Sequence, residues 1–125
     1  MMTREELQNG LLNFYGTESY TRYGLGMLLT DGVRWLCENA ECFWLIDIIG
    51  SCQNDSRVRS DEMLQDIQFW ELNVDLTKRR GMVSLERDKN DVVLTQEIEF
   101  TDFPLEEIKL YYSPQERVCC LPSEY

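Results

Sequence analysis

Carboxylates are the only chemistry-bearing side chains present in excess. The chain has 125 residues, with 23 acidic against 12 basic, a formal net charge of −11 and no histidine. Without imidazole there is no Ser–His or Cys–His nucleophile and no histidine-ligated metal. Carboxylates alone leave general acid–base work or a Mg²⁺ site, and no spacing singles out either. One stretch stands apart: Asn90–Ile108 holds six carboxylates (Asp91, Glu97, Glu99, Asp102, Glu106, Glu107) and no basic residue. On a strand, alternate residues share a face about 6.7 Å apart. Glu97 and Glu99 then form one row, and Glu71 and Asp75 form another. With Asp102 and Glu106 these make the candidate partner-binding set. Such rows can imitate a phosphate backbone and occupy a basic nucleic-acid channel, and they equally suit a solvated sheet face. Lys78-Arg79-Arg80 is too small a basic patch to argue for direct nucleic-acid binding.

A second set surrounds Asp47, which interrupts the apolar run Cys42–Cys52. A carboxylate buried there would need a hydrogen bond or a cation such as Arg34 or Arg22. Asp47, Arg22, Arg34, Tyr20, Tyr23 and Trp44 are therefore the candidate lining of a small-molecule pocket between helices and sheet. The aromatics Tyr15, Tyr20, Tyr23, Trp35, Phe43 and Trp44 suit either core packing or a binding patch. The five cysteines, Cys37, Cys42, Cys52, Cys119 and Cys120, include no C-x-x-C pair. An odd count without an apolar leader points to buried thiols in a reducing cytoplasm, and no metal site is expected. No phosphate-loop or dinucleotide glycine pattern occurs, so no cofactor is expected and Asp31-Gly32 reads as a helix start. No apolar stretch is long enough to span a membrane.

These side chains must be positioned by helices first and strands second. Thr3-Arg4-Glu5-Glu6 is a capping box opening a helix over 3–14, in which Gly10 costs about 1 kcal/mol relative to alanine. Thr30-Asp31 opens a second helix over 31–40, and 42–52 reads as a central helix buried nearly all round. Ser60-Asp61 caps a short fourth helix. The apolar period then falls to two. Strands are predicted over 67–77, 82–86, 92–100, 108–112 and 118–121, with Val92, Leu94, Ile98 and Phe100 inward on the third. This order predicts a single α+β domain over 1–125: N-terminal helices packed on one face of a five-stranded antiparallel meander sheet.

Several segments resemble a domain-of-unknown-function family of short phage, plasmid and bacterial proteins, cyanobacterial ones included. They are Phe14-Tyr15-Gly16-Thr17-Glu18, Leu29-Thr30-Asp31-Gly32-Val33, Phe43–Ile49, Thr101-Asp102-Phe103-Pro104-Leu105 with Ile108-Lys109-Leu110-Tyr111, and the tail Leu121-Pro122-Ser123-Glu124-Tyr125. The resemblance spans nearly the whole chain, brings no activity, and implies a mobile-element accessory protein. The resulting expectation is a non-enzymatic inhibitor of a host protein with a basic surface, such as a nucleic-acid-handling defence effector of the CRISPR kind. A small-molecule binder and an enzyme with a carboxylate-held metal stand as alternatives, and a homodimer is allowed.

Overall fold

The capping box at Thr3 forms as the sequence requires. The Thr3 hydroxyl accepts from Glu6 N at 3.2 Å, and Thr3 N donates to Glu6 Oε1 at 3.1 Å. This opens α1 (Arg4–Leu11), which ends three residues short of the expected Phe14. Gly10 is there for packing, because a Cβ at that position would strike the Trp35 ring of the next long helix. The computed structural model describes residues 2–125. It contains five α-helices and one seven-stranded sheet.

Two short strands precede the second helix: β1 (Tyr20–Arg22) and β2 (Leu28–Thr30), which pair antiparallel. β2 runs directly into α2 (Asp31–Ala40), where the Thr30 hydroxyl accepts from Val33 N. Glu41 then takes a left-handed conformation and turns the chain into α3 (Phe43–Cys52). α3 buries Leu45, Ile46, Ile49 and Gly50 but keeps Asp47 and Ser51 in solvent. It is therefore one-sided rather than buried all round. Two short helices follow, α4 (Ser56–Arg59) and α5 (Glu62–Asp66), the latter capped by the Asp61 carboxylate.

The five expected strands are present as β3 (Gln68–Asp75), β4 (Arg80–Asp88), β5 (Asp91–Ile98), β6 (Glu107–Ser113) and β7 (Val118–Cys120). Their arrangement differs from the meander. The strand order is β1-β2-β7-β6-β3-β4-β5, with β2 and β7 parallel and the other pairs antiparallel. Instead of pairing with β5, β6 returns beside β3. The cause lies in residues 99–106, which are not a short turn. Thr101, Phe103 and Leu105 are buried, Thr101 N bonds to Arg79 O, and Val74 N bonds to Glu106 O. The chain thus rounds the end of the β3–β4 hairpin and seats two apolar side chains in the core on the way. The two extra strands went unread because three residues are too few to display a period of two.

On β3 the alternation is as expected, with Trp70, Leu72 and Val74 buried and Asn73 and Asp75 exposed. A polar network lies inside this core. Gln68 is fully buried, and its amide exchanges hydrogen bonds with that of Gln53, both at 2.8 Å, while Trp70 Nε1 donates to Gln68 Oε1 at 2.9 Å. Gln68 Nε2 also reaches Leu64 O, so both ends of the buried amide are satisfied. On β5 the register against β4 slips near Glu86. Val92 is consequently half exposed, and Val93 takes the place against the core. Phe100 is 73% exposed rather than inward, because the strand ends at Ile98.

The tail closes the fold. Glu124 accepts from the Thr30 hydroxyl at 2.6 Å, from Gly32 N at 3.0 Å and from Leu121 N at 3.0 Å. Its carboxylate thus sits on the positive end of α2. Gly32 permits this approach, since a Cβ there would lie 2.6 Å from Leu121 Cδ1 and 2.7 Å from Glu124 Oε1. Ser123 Oγ donates to Phe14 O at 2.6 Å. Asp31 holds the other side, accepting from Glu18 N and Ser19 Oγ while its own N–H donates to Thr17 Oγ1. These bonds hold the Asp31 carboxyl below its ordinary range.

Cys37, Cys42, Cys119 and Cys120 are buried and Cys52 is half-buried, all as free thiols. Burial pushes the Cys119 thiol up, as it does those of Cys120 (to about 11) and Cys52; Cys42 is pushed up by its contact with Cys37 and by burial. Among the described residues no helix is long and apolar enough to cross a membrane.

Two measurements check this account. Glu124→Ala and Gly32→Ala should each lower stability by about 1–2 kcal/mol in urea melts. If both leave the midpoint unchanged, the tail contact contributes nothing. A thiol-reactive dye at neutral pH should label the native protein slowly and label all five cysteines once urea unfolds it; fast native labelling at Cys37, Cys42 or Cys119 would contradict their burial.

Candidate acidic cleft

The register fixes which side chains stand together on the sheet face opposite the buried row. On β3 these are Phe69, Glu71, Asn73 and Asp75, which lie opposite Glu86, Ser84, Met82 and Arg80 on β4. On β6 the partners are Tyr111, Lys109 and Glu107, and on β5 Glu97 lies opposite Met82. The turn end of β3 and β4, the end of β5 and the start of β6 enclose an open cleft of about 1270 Å³. Its walls carry the carboxylates Asp75, Glu97, Glu99, Glu106 and Glu107, with Arg80 as the one cation among the lining residues. Leu76, Met82, Ile98 and Phe100 supply apolar surface between them.

The crossover therefore gathers four of the six sequence-selected partner residues, Asp75, Glu97, Glu99 and Glu106, around one cavity. Glu71 stands higher on the same sheet face, half-buried beside Ser84 and Lys109. Asp102 is exposed on the crossover and does not line the cleft. The gathered carboxylates differ in what they already do. Asp75 accepts from Thr77 N and Lys78 N, both at 3.0 Å, so it caps the basic turn, and those bonds lower its carboxyl. Glu106 lies 3.8 Å from Arg4, and Glu107 lies 3.5 Å from Lys109. Glu97 and Glu99 have no ion pair or side-chain hydrogen bond among the described residues.

Sequence reasoning missed the apolar part of this region. Met82 and Phe100 line the cleft, with Glu107 from the acidic stretch though outside the selected set, and Phe69, Tyr111 and Tyr125 form an edge-on ladder on the same sheet face. Ring centroids are 5.0 Å apart for Phe69–Tyr111 and 5.4 Å for Tyr111–Tyr125. The alternation of β3 and β6 could have indicated the first pair. The third ring depends on where the tail docks.

The second candidate set is not gathered by the acidic cleft or by the two smaller hollows. Asp47 is exposed and not buried, and it accepts from the Tyr23 hydroxyl at 2.9 Å rather than pairing with Arg34 or Arg22. Tyr23 stacks on Phe43 at 5.4 Å, and partial burial with the Asp47 bond raises its phenol to about 12. Arg34 instead pairs with Glu38 at 2.7 Å and lines a shallow recess of about 250 Å³ with Phe14 and Trp35. Tyr20 and Arg22 are exposed on β1, and Trp44 is half-buried on α3. A third hollow, of about 410 Å³, is lined by residues 13–18 and Asp31. None of these cavities takes in Asp47, Arg22, Tyr20, Tyr23 or Trp44. The space between helices and sheet is filled by the core. Among the described residues no group of three or more Cys, Asp or Glu side chains is arranged to hold a metal ion.

Among curated proteins and among solved structures nothing matches the chain. A family profile does match, over residues 5–125, which include every segment of the resemblance and the whole acidic cleft. The chain belongs to the family of unknown function DUF6876.

Proposed function

We propose that this is a non-enzymatic binding protein that seats a basic surface of another protein on the acidic cleft. The observation that carries this reading is the pair Glu97 and Glu99, which have no side-chain partner among the described residues and stand beside exposed Phe100 on the cleft wall. Carboxylates already engaged in caps and ion pairs must be pulled away before they can meet a ligand, whereas these two are free. An acidic rim steers a basic partner and sets its orientation, and a central aromatic supplies desolvated contact area. The net charge of −11 adds a long-range attraction that falls as salt rises. Lys78-Arg79-Arg80 at the neighbouring turn makes the field two-signed, which favours one docking orientation over indiscriminate adhesion to cations.

The narrower form of the reading is an accessory protein of a mobile element that occupies the nucleic-acid channel of a host defence effector. Its support is the resemblance together with the gathering of five carboxylates around one cleft.

Affinity capture with the full chain as bait tests the broader form. Wild type should retain basic proteins at low salt and lose them at high salt. Glu97→Lys/Glu99→Lys should fail to retain them at either salt while melting at the same temperature. If wild type and the variant capture the same proteins, the cleft is a solvated surface and the proposal fails.

A further inference from the structure

The two edges of the sheet are unequal. β1 is three residues long, too short to template another chain, whereas β5 is eight residues long and, among the described residues, has β4 as its only strand neighbour. Its outer N–H and C=O groups therefore have no strand to pair with. Proteins usually blunt such an edge with lysine, proline, bulges or a covering loop. β5 contains neither lysine nor proline, and Asp91, Val92, Thr95, Gln96 and Glu97 are exposed. The register shifts are confined to its first half, where Arg87 lies 3.1 Å from Asp91 and ties down the turn. From Leu94 to Ile98 the ladder with Leu85–Gly81 is regular. The open part of the edge is thus free of register shifts, and it runs toward Glu99, Phe100 and the cleft.

We propose that β5 is a docking edge that takes up an extended basic segment of a partner protein as an eighth strand of the sheet. Charge decides the occupant. Asp91, Glu97 and Glu99 lie along or just beyond the strand, and no cation occurs from Asn90 to Ile108. A second copy of this chain would bring the same carboxylates to the same edge and be repelled. A segment alternating arginine or lysine with apolar residues meets Glu97 and Glu99 with one set of side chains. Its backbone pairs with Leu94–Ile98, and one end reaches Phe100. Main-chain bonds supply the affinity in this mode, and the alternating side chains supply the selectivity. The inference rests on the acidic-cleft reading for its charges and adds strand pairing to it.

The probe is a synthetic peptide alternating arginine and valine, titrated calorimetrically into the full chain. Two further copies are N-methylated at all arginines or at all valines. In an added strand only one alternation donates to the edge, so one methylated copy should bind about tenfold more weakly, or worse, and the other should bind like the parent. The alternate amides of Leu94–Ile98 that face away from β4 should gain protection from hydrogen exchange in the complex. If both methylated copies bind like the parent and no β5 amide is protected, strand addition is overturned. Loss of that binding in Glu97→Lys/Glu99→Lys would then leave the acidic cleft standing. If the parent peptide does not bind at all, both readings fall.

Discussion

Burial of Phe103 and Leu105 dictates the path from β5 to β6, and the candidate site is a consequence of that path. Full burial of such side chains contributes about 1.5–3 kcal/mol each, and both are nearly inaccessible to solvent. To reach the core the chain leaves β5 at Ile98, rounds the β3–β4 turn and enters β6 beside β3. A tight hairpin from β5 would have left both residues in solvent. The detour carries the acid-rich segment across the end of the hairpin. Glu99 and Phe100 come from its start and Glu106 and Glu107 from its end, and they face Asp75 and Arg80 on the turn they enclose. The cleft is thus assembled by an apolar requirement, while its charge comes from the residues flanking the buried pair.

The same rim of the sheet carries a second meeting point, nearer the β1 edge. β2 and β7 are parallel, and α2 begins at the carboxyl end of β2. In open α/β sheets this is where anionic ligands settle, on helix N–H groups beyond the strand ends. Glu124 occupies it from within the chain, bonded to Thr30 and Gly32. Three segments of the family resemblance, around Thr17, Asp31 and Glu124, join there in one hydrogen-bonded knot. Their residue types are explained by closing the fold, which leaves the β5 side of the sheet as the place to look for a ligand.

Local signals were legible in the sequence wherever they were complete within a few residues. The Thr3 box, the start of α2, the Asp61 cap and the alternation of β3 are all present as read. What depended on distant pairing was not. The position of β6 follows from the burial of Phe103, and a sequence period does not report which strand lies alongside. The half-exposed Val92 follows from a one-residue slip against β4. Asp47 was expected to be buried because eight of the eleven residues in its run are apolar, yet α3 presents one face outward and Asp47 is on it. Four of the six acidic candidates do converge: Asp75 and Glu97 through the strand alternation that selected them, and Glu99 and Glu106 because the chain leaving β5 and entering β6 brings them alongside. Phe100 was missed as a surface residue because the alternation was carried past the point where β5 ends.

Acidity by itself argues for little, since a chain with this charge must expose carboxylates somewhere. The stronger argument comes from how they are used. Asp31, Asp61, Asp75 and Glu124 bond to backbone N–H groups at helix starts or turns, and Glu6 closes a capping box. Asp55 caps α4 and pairs with Arg57, while Asp61 also holds Arg87. Each of these is accounted for by the fold. Glu97 and Glu99 are not: among the described residues they close no turn, cap no helix and meet no cation, although Arg80 lines the same cleft. Fold stability would be served as well by threonine at Glu97, because β-branched residues suit exposed strand surface better than glutamate does, and Glu99 lies just past the strand with no structural bond to make. Unemployed charge set beside an exposed aromatic ring and an open strand edge is what distinguishes this corner of the molecule from the rest of its acidic surface.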